Sequence, residues 1–140
     1  MKKSDPISNV MSTDVVTVTP KEKLSTVKRL MRDLLLHHIP VVDGDKLIGI
    51  VSRVDVLQAS FSNQVVGSAG ASDEWLDTAV ELDKLMTKQV VTIKDYDTVH
   101  HAAEMLATYD FNALPVVNTD QNLVGIVTSN DLIDYLLRQY

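Results

Sequence analysis

Short apolar runs and amphipathic stretches follow one another in the same order twice along the chain. Val15-Val16-Thr17-Val18 is a β-prone run. The sequence after it predicts a helix start, with Thr19 as N-cap, Pro20 in the first turn and Glu22 closing a capping box. Leu24, Val27, Met31, Leu34 and Leu35 then fall on one helical face. Residues 39–42 and 46–51 predict a hairpin about Asp43-Gly44-Asp45, and a further helix starts near Arg53. Downstream, residues 90–93 predict a strand, and Val99, Ala102, Ala103, Leu106 and Tyr109 the next helical face. A second hairpin joins 114–117 to 123–127, and a closing helix carries Leu132, Ile133, Tyr135, Leu136 and Leu137.

The two halves also agree residue by residue. Ile39-Pro40-Val41-Val42 is answered by Leu114-Pro115-Val116-Val117, and Gly49-Ile50-Val51-Ser52 by Gly125-Ile126-Val127-Thr128. The offset is 75 residues at Thr17/Thr92 and 76 at Gly49/Gly125, so the second hairpin turn holds one extra residue. A repeat of this length is a supersecondary unit used as a pair. The runs Pro-Val-Val and Gly-Ile-Val show no polar alternation, which predicts strands covered on both faces. The fold class is therefore α/β (α+β by some conventions), with two β-α-β-β-α repeats at 7–59 and 82–137, each with a three-stranded sheet. A linker at 60–81 contains the flexible stretch Gly67-Ser68-Ala69-Gly70-Ala71-Ser72; Ser72-Asp73-Glu74 could cap a short helix bearing Trp75 and Leu76. About five residues at the start are expected to be poorly ordered.

Composition narrows the function. With 45% hydrophobic and 23% charged residues, 140 residues suffice for a buried core. No apolar run is long enough to span a membrane, the N-terminus lacks a signal-peptide core, and there is no Cys, so the expected location is cytoplasmic. The net charge of -6, with one Trp and two Phe, argues against nucleic acid.

One polar signature recurs: Ser52-x-x-Asp55 and Thr128-x-x-Asp131, each where a strand gives way to a helix. A capping box accounts for either occurrence by itself. A ligand is also compatible, because a helix N-terminus attracts anions and a carboxylate has spare capacity to accept from ribose hydroxyls.

These residues carry a family resemblance. The lead-in Met, the hydrophobic-Pro-Val-Val strand and the Gly-x-x-Ser/Thr-x-x-Asp motif, all present twice, resemble a stand-alone tandem pair of cystathionine-β-synthase (CBS) domains over nearly the whole chain. The resemblance implies two repeats packed through their sheets with pseudo-two-fold symmetry. It implies inter-repeat clefts that bind AMP, ADP, ATP or, in some members, S-adenosylmethionine. Carried over, Ser52 with Asp55 and Thr128 with Asp131 hold ribose, with Ile50 and Ile126 as apolar floor. Adenine lies against the lead-in of the opposite repeat: Thr13, Val15 and Val16 for the Asp131 cleft, and Lys88, Val90 and Val91 for the Asp55 cleft. Where members that bind phosphate often have a basic residue, the first repeat has His37-His38 and the second Asn112-Ala113. The Asp55 cleft is thus expected to prefer a phosphorylated adenosine, and the Asp131 cleft to be weaker or to take a less charged ligand. The resemblance further implies a homodimer, with Leu57, Leu132, Tyr135 and Leu136 in its apolar face, and a protein partner that reads the dimer geometry in trans.

Other candidates are less productive. Neighbouring residues on a helix diverge by about 100°, so neither His37-His38 nor His100-His101 chelates one metal. Gly67 and Gly70 are not followed by the Gly-Lys-Ser/Thr of a phosphate loop. Met11, Met31 and Met105 are assigned to the core, and Arg53 to solvent. No nucleophile stands beside a base, so no enzyme activity is expected. The rival to a nucleotide sensor is a ligand-free interaction module in which the Ser/Thr and Asp residues are helix caps alone.

Overall fold

A computed structural model describes residues 2–61 and 72–140. The Gly/Ser/Ala stretch at 67–71 lies outside the described residues. The chain runs α1 (Leu24–Asp33), β1 (His38–Asp43), β2 (Lys46–Ser52), α2 (Arg53–Phe61), α3 (Asp73–Ala79), α4 (Leu82–Leu85), β3 (Ile93–Lys94), α5 (Val99–Thr108), β4 (Ala113–Val117), β5 (Leu123–Thr128) and α6 (Ser129–Arg138). The described residues fall into two compact units. One comprises Met1–Val15, Asp45–Leu47 and Val91–Tyr140, and the other Val16–Gly44 and Ile48–Val90. Each unit thus takes the lead-in segment that precedes the other repeat. We call them the second-repeat and first-repeat units after the closing helix each contains.

The first-repeat unit is built on β1 and the part of β2 from Ile48 onward, which pair as a two-stranded sheet. The expected third strand at 15–18 is reduced to one parallel bridge, Val18 to Val41, so this sheet has two strands rather than three. Val18, Val27, Ile39, Val41, Val51, Leu76 and Leu82 make its core, joined by Met31 and Met86. Gly44, at φ 63°, closes the turn in the left-handed region that glycine enters without a Cβ penalty.

Helix α1 starts later than the sequence suggests. Thr19 to Glu22 form a turn, with Glu22 N–H donating to Thr19 O at 3.1 Å, and the N-cap residue is Lys23, whose side chain makes no cap bond. The cap comes instead from α3. The Asp77 carboxylate accepts from Ser25 N–H at 2.9 Å and from Ser25 Oγ at 2.7 Å. A local capping box was displaced because a carboxylate brought in by tertiary packing satisfies the orphan donors of the first turn just as well. At the other end Leu34 caps the helix and Leu35 turns to φ 55°; both are exposed and not on the buried face, which is Leu24, Val27 and Met31. Helix α3 is capped by Ser72 Oγ, which accepts from Trp75 N–H at 3.2 Å, as its sequence suggests. It buries Leu76.

The second-repeat unit has a complete sheet in the order β3-β4-β5, with β3 parallel and β5 antiparallel to β4. Of the expected 90–93 strand only Ile93 is in it, joined by Lys94. The extra residue of this repeat is absorbed by a register shift between Val116 and Val117 and by a longer turn. There Gln121 adopts φ 67°, and Asn118 Oδ1 accepts from Asp120 and Asn122 N–H. Strand β4 is buried throughout, as its unbroken apolar run predicts, whereas β5 alternates and β2 alternates over its second half. Ile7, Val10, Val99, Ala102, Leu114, Val116, Val127 and Tyr135 form the core, with Met11 and Met105 packed partly buried against it. Ala103 and Tyr109 lie outside the helical face assigned to them.

The chain start is tied down rather than loose. Asp5 O accepts from Val99 N–H at 2.8 Å, and Asp5 Oδ2 accepts from Tyr135 Oη at 2.5 Å. Tyr135 is therefore a buried anchor and not part of an exposed face. Leu57 on α2 and Leu136 on α6 remain exposed, beside Val54 and Phe61 on the first helix and Ile133 and Leu137 on the second.

Candidate functional site

The two Ser/Thr-x-x-Asp motifs fold into reciprocal capping boxes. Asp55 N–H donates to Ser52 Oγ at 3.0 Å while Ser52 N–H donates to Asp55 Oδ2 at 2.9 Å. At the other motif Asp131 N–H donates to Thr128 Oγ1 at 3.2 Å, and Thr128 N–H to Asp131 Oδ2 at 2.9 Å. Each box commits one carboxylate oxygen. Among the described residues the second oxygen, Oδ1, of either Asp accepts no hydrogen bond. All four motif residues are half-buried.

The backbone fixes what surrounds each box. Arg53 N–H donates to His37 O at 2.8 Å, which places His37-His38 at the start of α2. The equivalent bond runs from Ser129 N–H to Asn112 O at 3.0 Å, and Ala113 pairs with Thr128 across β4 and β5. The residue two positions before each box is clamped to a lead-in segment by two backbone bonds. Ile50 and Thr87 exchange N–H donors at 3.0 and 2.9 Å, and Ile126 and Ser12 do so at 2.9 Å each. Ile50 and Ile126 are half-buried, the exposed partners of the alternation in β2 and β5.

Glycine permits this clamping. A Cβ on Gly49 would stand 2.5 Å from Met86 Sδ, and one on Gly125 would stand 2.9 Å from Met11 Sδ and 3.0 Å from Ser12 O. The repeated Met and the repeated Gly, read in sequence as separate features, are the two halves of one contact.

Each unit therefore gathers most of one predicted residue set. Ser52, Asp55, Ile50, His37, His38, Lys88 and Val90 belong to the first-repeat unit; Thr128, Asp131, Ile126, Asn112, Ala113, Thr13 and Val15 belong to the second. Val16 and Val91 group with the opposite units from the motifs to which they were assigned. Sequence reasoning passed over Ser12 and Thr87, the residues that pin the lead-in segments. Their signal was their place directly after the repeated Met.

His38 is the electrostatically distinctive residue. Burial, and then the neighbouring His37, hold its pKa below the usual imidazole value, while Asp55 pulls the other way. It is therefore neutral near pH 7. Lys88 Nζ stands 3.8 Å from Asp83 Oδ1, a loose pair with both groups exposed. Of the other histidines, His100 Nδ1 meets Glu104 Oε1 at 3.0 Å one turn along α5. Among the described residues no group of three His, Asp or Glu is arranged to hold a metal, and no helix is long and apolar enough to cross a membrane.

Two hairpin-and-helix repeats, each ending in a Ser/Thr-x-x-Asp box, define a class of paired small α/β modules. The CBS domain family model matches residues 7–62 and 81–138, and the chain belongs to that family as a tandem pair. The uncharacterized protein MJ1225 of Methanocaldococcus jannaschii is 30% identical over 94% of this chain and 47% of its own length. The inosine-5'-monophosphate dehydrogenase of Korarchaeum cryptofilum is 33% identical over 85% of this chain but only 22% of that enzyme. The chain thus spans less than half the length of these relatives. Among solved structures, MJ1225 superimposes with a TM-score of 0.83 at 28% identity, covering 97% of this chain and 49% of that one. CBSX2 in complex with AMP, a protein of Arabidopsis thaliana, gives 0.80 at 23%, covering 96% and 98%. The cytosolic domain of the Mg2+ channel MgtE in complex with ATP gives 0.71 at 26%, covering 94% and 49%.

Proposed function

We propose that this CBS pair is a regulatory module that senses adenosine nucleotides of the AMP, ADP and ATP class, and that it signals to a protein partner through the geometry of a homodimer. The observation that carries the reading is the free carboxylate oxygen of each capping box. Asp55 and Asp131 are held by their caps in one orientation, half-buried, beside a half-exposed Ile and a pinned lead-in segment. A carboxylate positioned in this way can accept from the 2′- and 3′-hydroxyls of a ribose without giving up its cap. The N-terminus of the following helix adds partial positive charge for a phosphate. The similarity to the MgtE domain, which holds ATP, supports the ligand class. In the first-repeat set, His37-His38 and Lys88 favour a phosphorylated ligand. The rows Val54, Leu57, Phe61 and Ile133, Leu136, Leu137 are exposed apolar helix faces of the sort that dimers cover. Ligand binding can shift the dimer only by its differential affinity for the two shapes.

A ligand-free interaction module is the second reading, favoured by the fact that the capping boxes alone account for both motifs. Thermal denaturation with AMP, ADP, ATP or S-adenosylmethionine separates the two, using Asp55→Asn and Asp131→Asn. Asn retains an oxygen acceptor for the cap but sets an amide NH2 donor where the free, ionised carboxylate oxygen was offered to ribose. A ligand at about 100 times its Kd adds about 2.7 kcal/mol of stability, and this gain should shrink in one or both variants. No stabilisation by any of the four compounds would favour the interaction module.

A further inference from the structure

The two sites differ in charge, and the differences run almost entirely one way. Superimposing the repeats by their offsets sets Lys88 against Thr13, Gln89 against Asp14, Arg53 against Ser129 and His38 against Ala113. Each exchange makes the Asp131 set more negative or removes a group able to carry positive charge. The one opposing exchange, Asp83 against Ser8, only brings the loose partner of Lys88. The lead-in segments are not free to re-pair, because Ser12 and Thr87 each make two backbone bonds to the strand beside their own Asp. Thus Asp14 belongs with Asp131, and Lys88 with Asp55.

A phosphate needs at least one cation or several free donors to offset its desolvation and charge. The Asp55 set supplies Lys88, Arg53 and an imidazole. Residues 12–15, 112–113 and 128–131 supply two carboxylates and no Lys, Arg or His. A phosphate there faces repulsion from Asp14 and Asp131 with only the α6 N-terminus in its favour, whereas a cation gains from both carboxylates.

Resting on the nucleotide reading above, we propose that the two sites sort adenosine compounds by charge: the Asp55 site takes the phosphorylated nucleoside, and the Asp131 site takes an adenosine compound without phosphate, uncharged or cationic. The protein is then a two-input device, comparing a phosphorylated adenosine with an unphosphorylated one.

Titration calorimetry of the whole chain with AMP, adenosine and S-adenosylmethionine (whose sulfonium is cationic) tests this. AMP affinity should fall at least tenfold in Asp55→Asn and severalfold in Lys88→Glu. Adenosine or S-adenosylmethionine binding should instead weaken in Asp131→Asn, and the sulfonium compound alone should respond to Asp14→Asn. The exposed double substitution Thr13→Lys/Asp14→Gln should admit AMP to the second site and raise its stoichiometry from one to two. Equal AMP affinity at both sites of the wild type would overturn the sorting while leaving the nucleotide reading intact. So would failure of every unphosphorylated compound to respond to Asp131→Asn. Absence of binding by all three compounds to the folded chain would overturn both.

Discussion

Gly49 and Gly125 occupy the same place in the two repeats, yet the structure predicts different outcomes when each is replaced by Ala. The three atoms nearest a Cβ at Gly49 all belong to the Met86 side chain, whose Sδ, Cγ and Cε would lie 2.5, 3.0 and 3.1 Å away. A methionine side chain has three rotatable bonds and can swing aside, so the cost should sit near the low end of the overpacking range, about 1 kcal/mol. At Gly125 the added carbon would also stand 3.0 Å from Ser12 O, a backbone atom held by a 2.9 Å bond from Ile126 N–H. Relief there requires the lead-in segment to move, placing the cost nearer 3 kcal/mol. For a chain of this size that lowers the Tm by roughly 10 °C. Urea denaturation of a double-mutant cycle separates the two cases. Met86→Ala should offset most of the Gly49→Ala penalty beyond its own cavity cost, giving a coupling of about 1 kcal/mol. Met11→Ala should offset far less of the Gly125→Ala penalty, because the carbonyl contact stays. Gly125→Ala should also weaken any ligand that reports through Asp131. If Met11→Ala rescues Gly125→Ala as fully as Met86→Ala rescues Gly49→Ala, the clamp by the Ser12 carbonyl is not what confines the glycine.

Further outcomes follow from the electrostatics and the caps. Asp77→Ala removes both acceptors at the start of α1 and should cost about 1 kcal/mol by urea denaturation, and Ser25→Ala on top of it should add little. The Ser25 hydrogen bonds hold the Asp77 pKa below the usual carboxylate value. That contribution is therefore present above pH 3.8, the ordinary Asp value, and is lost as pH falls through the depressed folded value. His38 has the opposite sense: its folded pKa lies below 6.5, so the unfolded chain takes up the proton first. Stability should fall as pH drops below 6.5, and His38→Gln should flatten that slope in melts at pH 7.5 and 5.5. If a phosphate engages His38, AMP affinity should rise over the same acidification and lose that rise in His38→Gln. Tyr135→Phe removes the hydroxyl that holds the Asp5 pKa down; it should lower the Tm at pH 7 and reduce the additional loss on acidification.

Much of the molecule is legible in its sequence. The 75-residue echo announced two like modules, and the hairpins, the α2 start, the Ser72 cap and both Ser/Thr-x-x-Asp boxes stand where local pattern puts them. All of these are set by bonds between residues a few positions apart, or by the period of burial along one strand. The family likewise rests on motifs repeated in order within one chain. Proximity of His37 to Arg53, and of Asn112 to Ser129, follows from hairpin closure and is of the same kind.

What local pattern could not supply was decided by partners far along the chain. Thr19 and Glu22 offered a capping box, but Asp77, 52 residues beyond Ser25, caps α1 instead. Nothing in the first turn records that a distant carboxylate will arrive. Residues 15–18 read as a strand, yet only Val18 finds a strand partner, Val41, and the segment passes from one unit to the other between Val15 and Val16. Tyr135 looked like surface and became an anchor for Asp5, 130 residues away. The site itself divides in the same manner. The sequence named the carboxylates, since a cap is local. Which lead-in segment stands beside which carboxylate depended on the Met11–Gly125 and Met86–Gly49 contacts. Those contacts pair each lead-in with the other repeat's strand, and so decide whether Asp14 or Lys88 sets the charge around a bound ligand.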